Sequence, residues 1–542
     1  MPFRFVIFLS GEARPAVSRR DRDDKYVSNI ASLSVVRLGE GRLRAMNVLL
    51  INPEFPDTYW SFRHALPFES KRCAFPPLGL LTVSALLPDE WERRLIDLNI
   101  QSLKTSDIDW ADMVLVTAML VQKNSLKDVV KRCKARGKRV VVGGPYITTT
   151  IEDLPDVDHV FVGEAEITLP LFVQELAAGC ARRRYEGLER PALSTTPLAH
   201  FHLANLKRYS AMCVQYSRGC PFSCEFCDII EIYGRVPRTK SNQQMLSEFD
   251  ALKDLNWRGT VFIVDDNFIG NKKNVRQLLP ELAEWQKRNG YPFSLLTESS
   301  VNLADDEPLL EQMREAGFRR VFLGIETPVK ESLQEAQKSQ NRGNLLDAVK
   351  RIQSYGMEVM AGFIVGFDND PEDIFERQID FIRESAIPLA MVGLLNALPG
   401  TQLWNRLHRE GRLLGEASGN NTSCSLNFKT RMDPAVLIHG YQTIMRTIYS
   451  PHEYYQRALE SMKRTAQEFV EPQHYNVVSS SRALLRVLLK LGVVDRERAE
   501  FWRFFSQALR NRPKIAESLR LAAMGYHFRK LNQGFSKPAV NL

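Results

Sequence analysis

Cys220-Pro221-Phe222-Ser223-Cys224-Glu225-Phe226-Cys227 puts three thiols within eight residues, spaced CxxxCxxC, with an aromatic ring just before the last. A [4Fe–4S] cluster has four corners; three thiolates hold three irons and leave the fourth open to another ligand. An open iron on a low-potential cluster is a place for chemistry as well as for an electron. Zinc is the rival reading. Structural zinc takes four ligands, usually as two CxxC-like pairs, and no second pair exists among the eight cysteines. Cys73, Cys133, Cys180, Cys213 and Cys424 are scattered and read as small hydrophobes. Eight cysteines in 542 residues do not make a disulfide scaffold. An oxygen-labile cluster implies a reducing compartment, so the expected location is the cytoplasm.

The elements around this loop follow a βα rhythm. Six strand candidates, 212–216, 260–264, 293–296, 320–325, 358–365 and 389–395, alternate with helical segments at 243–255, 275–287, 307–315, 344–354 and 373–384. Six βα units of this length predict a partial (β/α)6 barrel, whose active residues gather at the carboxyl ends of the strands. The cysteines follow the first strand there. Asp265-Asp266-Asn267-Phe268 follows the second, Thr297-Glu298-Ser299 ends the third, and Gly324-Ile325-Glu326-Thr327 ends the fourth. Gly362-Phe363-Ile364-Val365-Gly366 forms the fifth, and Pro399-Gly400-Thr401 follows the sixth. Acids buried without partners are costly, so these are expected to hydrogen-bond a ligand or a neighbouring loop. Any one of them reads equally well as a cap or an ion-pair partner; several in register at successive strand ends point to a site.

Upstream, strands at 48–52, 94–97, 113–117, 139–142 and 159–162 alternate with helices at 78–87 and 125–136, predicting a doubly wound parallel sheet. Ligands in such folds lie beyond the carboxyl ends of the strands. The loops there are Asn52-Pro53, Phe75-Pro76-Pro77-Leu78-Gly79, Val142-Gly143-Gly144-Pro145 and Val162-Gly163-Glu164-Ala165-Glu166. Gly-Gly permits close approach of backbone to a ligand and is as often a tight turn.

Taken together, the cysteine spacing resembles the signature of the radical S-adenosylmethionine (SAM) superfamily, and the loops before it resemble the cobalamin-binding domain of its B12-dependent branch. The resemblance spans roughly residues 46–430. It implies that the open iron chelates the amino and carboxylate groups of SAM, whose sulfonium bond is cleaved by one electron from a flavodoxin or ferredoxin. It further implies that Phe226 leans on the adenine, that Gly324 and Glu326 meet the ribose, and that Gly362 lines the adenine, with Asp265 and Glu298 also at the cofactor. Asn52, Gly79, Gly143, Gly144, Gly163 and Glu164 would face cobalamin. No DxHxxG occurs, so the cobalt is expected to lack a histidine ligand. Methyl transfer to an unactivated carbon is the implied reaction. Cyclisation or rearrangement, and a sensor that binds the cofactors without turnover, stay open. Methylthiotransfer is disfavoured because no second cysteine set lies in the N-terminal domain.

The expected organisation is an extension or misassigned start over 1–45, a Rossmann-like cobalamin domain over 46–190, a radical SAM partial barrel over 205–430 and a basic helical domain over 431–542. The net charge of +8 resides at the ends. Residues 481–542 carry 13 Lys and Arg against 4 Asp and Glu, and residues 1–45 carry 9 against 5, so the intervening body is net acidic. Arg498, Arg503, Arg510, Arg512 and Arg520 lie beside Phe501, Trp502, Phe504, Phe505 and Leu519. That mixture fits a surface helix on anionic lipid and equally a helical cap with a solvated basic face. No nucleic-acid module is recognisable, and no run of apolar residues is long enough to span a membrane. The tail, with Pro53-Glu54-Phe55-Pro56-Asp57-Thr58, Trp60-Ser61-Phe62 and Gly525-Tyr526-His527-Phe528, resembles the subset of the family that methylates hopanoids. It implies a triterpenoid lipid substrate and peripheral contact with the inner face of the cytoplasmic membrane.

Overall fold

Runs such as Val48-Leu49-Leu50-Ile51 and Met113-Val114-Leu115-Val116 carry no polar alternation, so they need cover on both faces, the situation of parallel strands under helices. The computed structural model describes residues 45–150, 156–187, 189–466, 477–510 and 515–534. Of the extension expected over 1–45, residues 1–44 lie outside them. The first sheet contains β1 (Asn47–Asn52), β2 (Glu92–Asp97), β3 (Met113–Thr117), β4 (Arg139–Gly143), β5 (His159–Val162) and β6 (Arg184–Glu186). Its strand order is β2-β1-β3-β4-β5-β6, parallel throughout. Val48, Leu49, Leu50 and Ile51 are fully buried, with separate apolar layers on the two faces. The strand β6 was not expected; three residues with one buried position leave almost no pattern.

The second sheet begins with β7 (Ala211–Val214). After a small antiparallel ribbon, β8 (Ser217–Arg218) with β9 (Arg238–Thr239), it continues with β10 (Gly259–Ile263), β11 (Phe293–Ser299), β12 (Phe318–Glu326), β13 (Glu358–Val365) and β14 (Ala390–Leu394). Order β7-β10-β11-β12-β13-β14, all parallel, is a barrel wall opened along one edge. The intervening helices start on local signals. Ser241 Oγ accepts from Gln244 N, while Gln244 Oε1 accepts from Ser241 N at 3.0 Å, a reciprocal cap for the helix Asn242–Asp254.

The C-terminal helices close on the barrel. Helix Pro434–Ile448 packs against helix Ile374–Glu384, and a Cβ on Gly440 would stand 2.3 Å from the Phe375 ring. Tyr449 Oη donates to Ala390 O at 2.8 Å and accepts from Ala390 N at 3.0 Å. Helix Ile515–Gly534 reaches further, to residues 53–77 of the N-terminal half. Phe528 stacks on Tyr449 at 4.6 Å and on Tyr59 at 5.6 Å. Tyr59 Oη donates to Val392 O at 2.6 Å. The two motifs 58–62 and 525–528, some 460 residues apart in sequence, meet in one packed cluster.

His527 is fully buried there. Its Nδ1 faces the His64 N–H at 3.4 Å and its Nε2 faces the Tyr59 carbonyl at 3.3 Å. The only tautomer that serves both carries the proton on Nε2, so the ring is neutral. Burial, reinforced by His64, pulls its pKa down from 6.5 to about 4. The unfolded chain takes up a proton near pH 6.5 that the folded chain refuses. The contribution is therefore complete above pH 6.5 and is lost as pH falls toward 4. Between about pH 7 and pH 5 the wild type should lose about 2 kcal/mol more stability than His527→Gln, read from urea unfolding; equal losses would contradict the assignment.

Candidate active site

The cysteine loop is held before any cofactor is considered. The β8–β9 ribbon closes its base, and Cys220 N donates to Gly234 O at 3.2 Å. Gly219, at φ +96°, approaches that carbonyl so closely that a Cβ would stand 2.8 Å from it. Glu225, between the second and third cysteines, forks onto Arg406 at 2.6 and 3.1 Å, while its backbone binds Ala336 O and Leu403 N. Asp265 accepts from Tyr216 N, Ser217 N and Ser217 Oγ at 2.7, 2.8 and 2.6 Å. It was expected at the cofactor; both of its oxygens are instead engaged by the strand-to-loop turn ahead of the cysteines. Each thiol of a cubane binds its own iron, and among the described residues no three His, Cys, Asp or Glu gather as the ligands of one metal ion would.

Next to the sulfurs, β12 ends irregularly. Its register against β13 shifts between Gly324 and Glu326, and Glu326 adopts φ +64°, a left-handed conformation costing about 1–3 kcal/mol for a residue with a side chain. Asn341 Nδ2 donates to Gly324 O and Ile325 O at 3.0 and 2.8 Å and holds the kink. The kink aims Glu326 at Lys338, Nζ to Oε1 2.6 Å, both nearly buried. Burial pulls the Lys338 pKa down, but Glu326 and the sulfurs of Cys224 and Cys227 outweigh it, and the ammonium is held charged. Gln340 Nε2 lies 3.4 Å from Cys224 Sγ. The oxygens Gln340 Oε1 and Asn341 Oδ1 are buried without a hydrogen-bond partner. Unpaired buried acceptors in the loop that touches Cys224 fit a donor-rich ligand such as SAM. Phe226 packs at a tilt of 58° against Phe367 at 6.3 Å, beneath the Lys338 ammonium. Gly362 is tight against Phe322, at 3.3 Å from a would-be Cβ. Lys338, Gln340 and Asn341 sit in a loop without periodicity and gave no sequence signal.

Between the two sheets lies a cavity of about 710 Å³. The first sheet supplies Asn52, Gly79, Gly143, Gly144, Gly163 and Glu164, and the barrel supplies Gln215, Arg218, Phe262, Asp266 and Glu298. Cβ atoms on Gly79 or Gly163 would project into open space, and one on Gly144 (φ +97°) would strike Thr117 Oγ1 at 2.2 Å. That is a cradle that lets a large ring lie against backbone, and it fits cobalamin. Two expected cofactor contacts are otherwise engaged. Asn52 donates to Asp97 Oδ1 at 3.0 Å and accepts from Gln122 at 3.3 Å. Glu164 forms ion pairs of 2.6 Å with Arg218 and 2.7 Å with Arg238, and Glu166 adds one of 2.7 Å to Arg218. The cobalamin-side loop is thus locked to the residue two places before the first cysteine. At the barrel side of the cavity, burial and the neighbouring Asp265 push Asp266 up to about 7, and burial with Asp266 and Asp265 pushes Glu298 up to about 8.

Replacing Lys338 by Met would leave Glu326 buried beside the sulfurs without its counter-charge. The reconstituted cluster should keep its absorbance while SAM affinity drops tenfold or more, about 1.4 kcal/mol. Unchanged affinity would show that the pair only braces the loop.

Residues 214–382 match the radical SAM superfamily, residues 73–173 the B12 binding domain, and residues 401–539 a domain of unknown function, DUF4070. The chain is 42% identical to an uncharacterized methyltransferase of Synechocystis, covering 89% of this chain and 91% of that protein. It is 34% identical to the hopanoid C-2 methylase of Rhodopseudomonas palustris, covering 89% and 92%. Among solved structures it resembles the cobalamin-dependent SAM radical enzyme OxsB, with aqua-cobalamin and SAM bound, at TM-score 0.59 and 16% identity over 91% of this chain and 80% of that one. It also resembles the radical SAM methyltransferase TsrM of Kitasatospora setae at TM-score 0.56 and 15% identity over 69% and 79%. These likenesses extend across both sheets and the cavity between them, and the chain belongs to the cobalamin-dependent radical SAM methyltransferases, with a [4Fe–4S] cluster, SAM and cobalamin as its cofactors.

Proposed function

We propose that this enzyme methylates an unactivated carbon of a polycyclic lipid, with the hopanoid A-ring position C-2 as the specific target. The observation that carries the reading is the aromatic wall of the cavity. Trp60 stacks on Phe262 at 5.9 Å and 8°, touches Phe322 at 5.2 Å, and meets Phe75 at 6.1 Å. Leu78, Val83 and Leu86 extend the apolar lining. A flat, rigid hydrocarbon gains from such a surface through burial and dispersion, at about 25 cal/mol per Å² removed from water. The similarity to a named hopanoid C-2 methylase supports the same class of substrate.

When bound, the cluster with SAM supplies the hydrogen-abstracting radical, and cobalamin supplies the methyl group. The chain's own residues do the rest. Cys220, Cys224 and Cys227 would hold three irons, and the Lys338–Glu326 pair, with Gln340 and Asn341, would orient SAM at the fourth. Gly79, Gly143, Gly144 and Gly163 would let cobalamin lie against backbone. The aromatic wall would exclude water from a reactive carbon and fix which hydrogen is presented. Glu298, on β11 between the strands that carry Phe262 and Phe322, is suited to accept or donate one hydrogen bond at neutral pH. An electron donor of the flavodoxin or ferredoxin type would supply the reducing equivalent.

Expression in a hopanoid-making bacterium that lacks its own C-2 methylase, with cobalamin supplied, should yield 2-methylhopanoids by lipid mass spectrometry, and Cys224→Ala should yield none. Unmethylated hopanoids from cells whose extracted enzyme still forms 5′-deoxyadenosine would reject the substrate and leave the reaction class standing.

A further inference from the structure

Packing accounts for most of the C-terminal domain, but not for one edge of it. Fifteen large hydrophobic side chains are exposed among the described residues, and seven of them fall between 485 and 515. Leu485, Leu489 and Val493, exposed by 57, 51 and 60%, recur every fourth residue along helix Val477–Leu489 and the π-helical turn Lys490–Val494 that ends it. Val494 is exposed by 65% at the same turn. Trp502, from helix Arg498–Arg510, lies against that turn: its Nε1–H donates to Gly492 O at 2.9 Å, and a Cβ on Gly492 would touch its ring at 2.9 Å. Gly492 thus allows the two helices to join their apolar stripes, with Leu509 seven residues beyond Trp502 on the same face.

The rim of this edge is basic. Arg482, Lys490, Arg496 and Arg498 are exposed along it. Of the acids nearby, Asp495 is engaged by Arg529 at 2.6 Å and Glu500 by Arg503 and His452, while Glu497 is exposed. Exposed aliphatic groups, an indole at a helix junction and a cationic rim together make a surface that fits the boundary of an anionic bilayer. Among the described residues no helix is long and apolar enough to cross one. The edge also connects to the cavity: Arg486 donates to Pro67 O at 3.1 Å and contacts Ser70 Oγ, in the same 53–77 segment that contributes Trp60 and Phe75 to the aromatic wall.

We propose that the edge formed by Leu485, Leu489, Val493, Val494 and Trp502, rimmed by Lys490, Arg496 and Arg498, docks the enzyme on the surface of an anionic lipid bilayer, next to the entrance its lipid substrate uses; the last clause rests on the lipid reading above. The function it assigns lies within the domain of unknown function. The test is co-sedimentation of the full-length protein with vesicles of phosphatidylcholine alone and of phosphatidylcholine mixed with phosphatidylglycerol. Binding is expected to the mixed vesicles only and to weaken as salt is raised. Val493→Glu with Val494→Glu should weaken it at least tenfold, and Lys490→Glu with Arg496→Glu should remove the preference for anionic lipid. Reductant-driven 5′-deoxyadenosine formation in solution should be unchanged in both variants, which separates lost docking from lost folding. Wild-type protein that ignores both vesicles, variants that bind like the wild type, or a valine variant that instead dissolves a dimer on gel filtration would overturn the proposal. Docking without methylated hopanoid would keep the surface and reject the substrate; methylation of detergent-dispersed hopanoid without docking would do the reverse.

Discussion

The ion cluster of Glu164, Glu166, Arg218 and Arg238 is the contact on which the active site depends. Arg218 is 11% exposed at its side chain and Glu164 and Glu166 are 4 and 3%. Charges so far from water are tolerable only when paired, and removing one partner of such a set costs about 3–5 kcal/mol. Its value here is positional. Glu164 belongs to the loop after β5, at the mouth of the cobalamin cradle; Arg218 belongs to β8, two residues before Cys220. Radical chemistry between two large cofactors tolerates little slack, because a misplaced donor lets the substrate radical react elsewhere. Arg238 adds a fork onto both oxygens of Glu164, at 3.1 and 2.7 Å, which fixes direction as well as distance.

A second constraint comes from residues 53–77. The segment leaves β1, crosses the cavity, places Trp60 and Phe75 on its wall, and is gripped by Tyr59 against Val392 of the barrel and Phe528 and His527 of the C-terminal helix. The loop after helix Gln402–Arg409 adds a third tie, with Lys123 paired to Glu416 at 2.6 Å and Thr422 Oγ1 donating to Asp57 O at 3.2 Å. The C-terminal helices therefore brace the segment that walls the cavity, although they supply none of the three loop cysteines. The cofactor cradle and the tail thus meet at one segment, where His527 contacts the Tyr59 carbonyl and the Phe62 ring on either side of Trp60.

Most of the fold was legible because parallel strands buried on both faces leave long apolar runs; the six barrel strands fall within a few residues of where the runs predict them. The acids at strand ends were legible as a group. Their individual roles were not. Asp265, Glu164 and Asn52 have the residue types of cofactor ligands, yet each is engaged by protein partners, and Glu164 meets Arg218 across 54 residues of sequence. A carboxylate that braces a loop and one that meets a ligand look the same in a string. Lys338 and the Tyr59–Phe528 contact depend on long-range pairing that periodicity does not carry. The tail's amphipathic pattern read either as a cap or as a lipid-facing surface; helices 434–448 and 515–534 pack on the barrel as a cap does, while 477–510 keep an exposed apolar stripe.

By this reasoning the buried ion cluster sets the geometry between the two cofactors. Pulsed electron paramagnetic resonance between cob(II)alamin and the reduced cluster measures that geometry without needing the substrate. The account predicts one narrow distance in the wild type and a broadened or displaced one in Glu164→Gln and in Arg218→Met, with both cofactors still bound in full. The same narrow distance in all three proteins would contradict it.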